Sequence, residues 1–386
     1  MTRKSTVSHI VMLLLPMCGI WPGRSTILIT RLFWIASIAF IVLCQYLYFS
    51  THLNPQDFFN LVHCFSSFLA YAKVFTKLVA FWINQQKLVE TLALITDDWN
   101  DCANSDIGVR VTMHKAKLSD RITNAILILH TMTIVGYCLG AILAGADATD
   151  EAIELTYANK MQLPFNVNTQ RTYRFVLIAE FMHLILCNLV AGVVNAILLT
   201  LVLHVGGQIE ILQNSLSQLI SGEIRNEEES IVIATNKIIR KHIKIIQFSK
   251  NIEDLYAHIA LLLFASNTVL ICLIGFLIVT AIGTPDAKEQ IMKCLLFFST
   301  TNLEAFIFCY AGEYLSNKSK TIGFAMYNCP WYNLRPNDSR VLLFVILRSQ
   351  KQLTLTAGKM MELSLESFTR IMNASGSYLS VLLAMQ

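Results

Sequence analysis

Seven apolar stretches, each long enough to cross a bilayer, dominate the chain. Lipid tolerates a spanning backbone only when its N–H and C=O groups are bonded within the protein, and about 20 predominantly apolar helical residues cover the hydrocarbon core. The stretches run near Ile27 to Phe49, Phe58 to Trp82, Ile122 to Ala144, Tyr173 to Leu203, His258 to Ile282, Ile291 to Leu315 and Met361 to Met385, the last two being the more polar. With 54% hydrophobic and 15% charged residues, the 386-residue chain lies on the apolar side of soluble domains, which carry about 25% charged residues. The expected fold is an all-α membrane protein with seven transmembrane helices.

Orientation follows from the basic residues, because Lys and Arg stay on the cytoplasmic side during insertion. Arg3, Lys4, Arg24 and Arg31 precede or open the first span, and Lys87, Arg110, Lys115, Lys117 and Arg121 fill the second loop. The fourth loop holds Arg225, Lys237, Arg240, Lys241, Lys244 and Lys250. The sixth holds Lys318, Lys320, Arg335, Arg340, Arg348, Lys351 and Lys359, so that one side carries 22 of the 30 basic residues. The third loop is acidic instead, with Asp147, Asp150, Glu151 and Glu154. The N-terminus is therefore expected in the cytoplasm and the C-terminus outside, the reverse of G-protein-coupled receptors. The ten cysteines fall on the cytoplasmic side or within spans, so no structural disulfide is expected.

Residues 1–26 read as a retained cytoplasmic segment rather than a secretory signal, because the apolar run Ile10 to Leu15 is short and Pro16 follows it. Beyond the fourth span, Ile209, Leu212, Leu216 and Leu219 recur at three and four residues, as do Ile238, His242, Ile245, Ser249 and Ile252. That spacing predicts that the fourth and fifth helices continue into the cytoplasm as a hairpin. A further amphipathic pattern over 339–360 predicts a cytoplasmic helix that lies on the anionic inner leaflet or packs between subunits.

No paired-histidine metal motif, phosphate loop, nucleophile elbow or dinucleotide fingerprint is present. The chain is expected to be no enzyme, to carry no cofactor or metal and to bind no nucleic acid. Charges inside spans draw attention because they are costly in lipid. Lys73 and Lys77 read as snorkelling to the cytoplasm, Glu180 and His183 as a mutual pair or the wall of a wet cavity, and Glu304 as part of a packed polar seam. The last span places Ser377, Ser380, Val381 and Ala384 on a narrow mixed stripe. Such a stripe suits either close helix packing or a pore wall with a hydrophobic constriction.

Several segments resemble the insect odorant receptors. Gly19-Ile-Trp-Pro22 is similar to the family's N-terminal signature, and Phe308 through Glu313, Ser319, Ala325, Tyr327 and Trp331 to its sixth-span exit. Arg348-Ser-Gln-Lys351, Leu353 to Gly358, Leu363-Ser-Leu365, Phe368 and Ser377 to Leu383 resemble its C-terminal motif. The resemblance implies a ligand-gated, non-selective cation channel in the plasma membrane of sensory neurons, a heterotetramer with the odorant receptor coreceptor. Residues 27–338 would form a six-helix bundle with a ligand pocket, 339–360 an anchor helix between subunits, and 361–386 the pore-lining seventh helix. Carried over along the C-terminus, Val381 would be the hydrophobic gate and Ser377, Ser380 and Ala384 would lie beside it, Ala384 replacing a polar gate neighbour of the coreceptor. The chain lacks the coreceptor's long fourth-loop insertion, which points to a ligand-tuning subunit.

The implied ligand is a small volatile organic molecule in an apolar pocket of the bundle's outer half. Depth along the spans selects Phe58, Phe59 and Ser66 in the second, Tyr137, Cys138 and Ala141 in the third, Phe181, Met182 and Ile185 in the fourth, and Phe297, Phe298 and Thr301 in the sixth. A gustatory-type receptor is the near alternative. A transporter is the distant one, and the inverted repeats and broken spans that would mark it are not evident.

Overall fold

The computed structural model describes residues 5–21, 26–53, 58–103, 105–146, 159–165, 169–220, 228–284, 287–328 and 336–384. The acidic third-loop residues and the motif residues Pro22 and Trp331 lie outside them. The described chain is nearly all helical: α1 (His9–Leu14), α2 (Ile27–Thr51), α3 (Phe58–Ile83), α4 (Gln85–Cys102), α5 (Asp106–Ala146), α6 (Gln170–Ile220), α7 (Glu228–Ala281), α8 (Ala287–Asn328), α9 (Pro336–Ser349), a hairpin of β1 (Thr356–Ala357) and β2 (Met361–Glu362), then α10 (Leu365–Ala384). Six helices, α2, α3 and α5 to α8, are long and apolar enough to cross a membrane. The seventh, α10, is continuous over 20 residues but carries too many polar groups on one face to meet the same hydropathy test.

Helix α6 forms the centre. Its stretch from Val190 to Ile209 is buried almost without interruption, the polar Asn195, Thr200, His204 and Gln208 included. α5, α7 and α8 pack around it, with α3 against both α6 and α7. Both α6 and α7 exceed 50 residues, roughly 75–80 Å at 1.5 Å per residue, and so run well past any bilayer as the expected hairpin. The second loop, distinguished in the sequence only by its basic residues, holds helix α4. A stripe of Leu88, Thr91, Ile95, Asp98 and Cys102 is its buried face. The N-terminal segment is packed rather than peripheral: Val7, Val11, Leu15, Cys18 and Ile20 are in the core, and the indoles of Trp34 and Trp82 donate to the carbonyls of Met17 and Cys18.

At this basic end of the bundle, a buried polar relay ties the N-terminal segment to α4, α6 and α7. Trp99 Nε1 donates to Thr6 Oγ1, which lies 3.0 Å from His204 Nδ1. His204 Nε2 is 3.0 Å from Asp98 Oδ2, and Lys244 Nζ is 2.8 Å from Asp98 Oδ1. Burial alone would raise the Asp98 carboxyl, but the hydrogen bonds and charges of His204 and Lys244 outweigh it and hold it below its ordinary 3.8. A depressed carboxylate contributes stability above its ordinary value and loses it as pH falls below about 4. Asp98→Asn is therefore expected to cost about 1–3 kcal/mol and to expose residues 5–21 to limited proteolysis several-fold faster at pH 7. The parent should approach the variant's rate only in strong acid. Equal cleavage of the two proteins at neutral pH would rule this role out.

Two expectations need correction. Lys73 and Lys77 do not snorkel. The Lys77 side chain is 2% exposed and bonds Glu304 Oε1, and Lys73 Nζ lies 2.5 Å from Glu304 Oε2. An ammonium group within a span lowers its energy more by meeting a buried carboxylate than by stretching to a distant surface. The predicted helix over 339–360 also ends early, at Ser349, because the chain turns into the hairpin. Gly358 and Lys359, at φ 59° and 61°, make that turn, and the Gly358 amide donates to the Ala257 carbonyl of α7.

Candidate ligand site and pore face

The residues chosen by depth separate into distinct environments. Phe59, Phe297 and Phe298 join one apolar cluster with Val62, Ile274, Phe276 and Cys294 between α3, α7 and α8. Phe58 stacks edge-on to Phe276 at 5.7 Å but is half exposed. Ser66 and Thr301 are buried; the Ser66 hydroxyl donates to the Val62 carbonyl, and the Thr301 carbonyl accepts from Asn267. Cys138 is buried, Tyr137, Phe181 and Ile185 are half-buried, and Met182 is 53% exposed on the bundle's outside. Ala141 lies on α5, its side chain outside the described residues.

A buried polar cluster, the polar floor, lies within the bundle, and the sequence identified it only in part. Glu180 Oε1 accepts from the Asn159 amide at 2.7 Å and from Asn159 Nδ2 at 2.8 Å, and Asn159 Nδ2 also donates to the Tyr71 hydroxyl at 3.2 Å. His183 is not the partner of Glu180. It lies between the rings of Trp34 and Tyr71, beside Cys187. Tyr71 and Asn159 were missed, because an Asn on a loop carries no local signal of burial. The cluster gathers hydroxyl, amide, imidazole and carboxylate groups in the interior of the bundle.

The C-terminal helix begins where Ser364 caps it. Its hydroxyl accepts from the Ser367 amide, and its carbonyl from the Phe368 amide. Phe368, Ile371, Ser375, Leu379 and Leu383 then follow at three and four residues and pack inward, the rings of Phe368 and Phe306 5.9 Å apart. Leu379 fills the notch left by Gly275 on α7, where a Cβ would lie 2.6 Å from its Cδ2. The opposite face carries Asn373, Gly376, Ser377, Ser380, Val381 and Ala384, all exposed, Val381 by 58%.

A second uncovered surface lies at the basic end. α9 buries Leu342 and Val345 but leaves Phe344 71% exposed, with Leu343 and Leu347, while α8 exposes Phe324 and Tyr327 nearby in the chain. The same basic end carries charged groups held in fixed pairs. Lys115 and Lys318 lie 2.8 and 2.7 Å from Glu210, and although burial would raise that carboxyl, the two ammonium groups lower it. Burial, then the Arg348 guanidinium, pushes His242 down to about 4, so it is neutral at pH 7.

This architecture is shared with solved proteins. The insect olfactory receptor OR5 from Machilis hrabei superposes with a TM-score of 0.79, covering 98% of this chain and 97% of that one at 13% identity. Its complex with eugenol gives 0.76 at the same identity and coverage. Odorant receptor 13a of Drosophila melanogaster is 32% identical over 188 residues, 46% of this chain and 44% of the relative. Putative odorant receptor 92a of the same species is 24% identical over 236 residues, 60% of this chain and 55% of the relative. The chain thus spans about half the length of these curated relatives. The family model described as 7tm Odorant receptor matches residues 58–376, which takes in the polar floor and most of α10. A multi-pass helical chain with this match belongs to the insect odorant receptor family.

Proposed function

We propose that the chain is the ligand-tuning subunit of an odorant-gated, non-selective cation channel, working as a heterotetramer with an odorant receptor coreceptor in the plasma membrane of sensory neurons. The observation that carries this reading is the exposed face of α10. Asn373, Gly376, Ser377 and Ser380 are poor partners for lipid, and among the described residues nothing covers them. The Ser377 and Ser380 hydroxyls donate back to the Asn373 and Ser377 carbonyls, and water in a central pore, shared with the same helix of neighbouring subunits, solvates the rest of this face. The exposed Phe344, Leu347, Phe324 and Tyr327 support assembly at the cytoplasmic end, since apolar patches of that kind mark protein interfaces.

In this reading the N-terminus is cytoplasmic, and a small apolar volatile binds in the outer half between α3, α5, α6 and α8. Phe59, Phe297 and Phe298 supply walls, and Tyr71, Asn159, Glu180 and His183 supply the few polar contacts that orient it. Val381 forms the apolar constriction, with Ser377, Ser380 and Ala384 along the conduction path. The direct test is co-expression with the coreceptor and recording against a panel of volatiles that includes eugenol, the ligand in the Machilis hrabei complex. Odorant-evoked cation current is expected, and silence despite surface expression would refute the assignment. Val381→Ala should raise resting current several-fold, because a wider and less apolar constriction is easier to wet. An unchanged leak at matched surface density would remove Val381 from the gate.

A further inference from the structure

The ion cluster at the middle of the bundle holds two cations and one anion. Lys73 and Lys77, one turn apart on α3, share Glu304 of α8. Asn267 Oδ1, at 2.7 Å from Lys73, and Asn195 Oδ1, at 3.5 Å from Lys77, add neutral acceptors. Among the described residues no second carboxylate pairs with either lysine. The ionised cluster therefore keeps one unmatched positive charge in apolar surroundings, where charge is expensive.

The same lysines floor a groove of about 340 Å³ between α3 and α7, within the ~300–1,000 Å³ typical of small-molecule sites. Leu69, Leu262, Leu263 and Val269 wall it, with Thr76 and Ser266 among them, and the exposure of Leu262 and Val269 shows that it opens on the bundle's side. The Lys73 side chain keeps 11% of its surface accessible. Depth narrows the occupant. Arg31 donates to Gln85 and sits 5.5 Å over the Trp82 ring, an arrangement that marks the membrane interface. At 1.5 Å per residue, Lys77 lies about 8 Å and Lys73 about 14 Å further in than Trp82. A phospholipid phosphate stays at the interface, whereas the carboxylate of a single-chain amphiphile can descend that far if a cation receives it.

We propose that this groove binds a long-chain fatty acid, its carboxylate completing the cluster at Lys73 and its tail lying on Leu69, Leu262 and Val269. The groove adjoins the apolar cluster of Phe59, Phe297 and Phe298, which Leu69 also meets, but the proposal depends on neither the odorant reading nor the pore reading.

The test is photolabelling of the full chain in cell membranes with a palmitic acid carrying a diazirine near its carboxyl end, followed by peptide mass spectrometry. Label is expected on the 69–77 and 259–269 segments, removed at least tenfold by excess palmitate and formed at least tenfold less by the methyl ester of the same probe. Lys73→Met should cut labelling at least tenfold, and its fold should survive because Lys77 and Glu304 remain a neutral pair. Ser266→Phe, which fills the groove and leaves every charge in place, should do the same and decides the matter alone if Lys73→Met fails to reach the membrane. Equal labelling by the methyl ester, retention of label in either variant, or label elsewhere in the chain would overturn the proposal. Displacement by phosphatidylglycerol at matched concentration would overturn it too, giving the groove to a phospholipid.

Discussion

Glu304→Ala should destabilise the protein by about 3–5 kcal/mol, the cost of leaving a buried charge without its partner. Lys73 and Lys77 would then face each other across one turn of α3, held by Asn267 and Asn195 alone. The penalty is one of uncompensated charge rather than of a missing contact, and that distinction yields a rescue. Lys77→Met in the Glu304→Ala background removes one of the two stranded ammonium groups while filling similar volume, and should recover at least half of the lost stability. Lys77→Met alone should be nearly silent, since Lys73 remains to pair with Glu304. Thermal unfolding of the four proteins in one detergent closes the cycle. A Glu304→Ala protein that melts with the parent would show that the cluster contributes nothing, and an additive double variant would show that the charges are not coupled.

The distance in sequence between these partners explains what could be read from the chain and what could not. Lys77 and Glu304 stand 227 positions apart, and no local pattern announces a partner that remote, so each charge was weighed by itself and Lys77 was sent to the surface. The spans and the α6–α7 hairpin were legible because apolar content and 3.6-residue spacing are local properties. Helix α4 escaped because its buried face includes the polar Thr91 and Asp98, and the burial of Asp98 depends on His204 and Lys244 from other helices. The hairpin at Thr356 to Glu362 is too short to alternate visibly. Depth along a helix was legible for the ligand candidates, but rotation about its axis was not. Phe59, Phe297 and Phe298 share a cluster, whereas Met182 lies outside: depth alone did not use the buried Glu180 and His183, which mark the inward side of α6 in that turn. For α10 the stripe itself was legible, but whether it packs or stays uncovered was not; the structure leaves it exposed opposite Phe368, Ile371, Ser375 and Leu379.

The other large effect is expected at Gly312→Ala. α8 crosses the chain just ahead of α10 so closely that a Cβ at Gly312 would fall well inside 3.0 Å of the Leu363 carbonyl oxygen. Whether such a clash is tolerated depends on what must move. Leu363 is main chain fixed on both sides: its amide donates to Leu355 across the hairpin, and the hairpin is bonded to α7 through Gly358. Ala305, Phe308, Ala311 and Leu315 around Gly312 are fully buried, so α8 cannot back away without opening the core. The cost should reach or exceed the ~1–3 kcal/mol usual for overpacking, with loss of surface protein and of any current. Gly275→Ala is the informative comparison. There the added Cβ meets only the Cδ2 end of Leu379, so Leu379→Ala should restore surface expression in that background. In the Gly312→Ala background Leu363→Ala should restore nothing, because the carbonyl stays where it was. Rescue of Gly312→Ala by Leu363→Ala would show that the side chain, not the backbone, fills the crossing and that α8 and α10 meet less closely than their glycine implies.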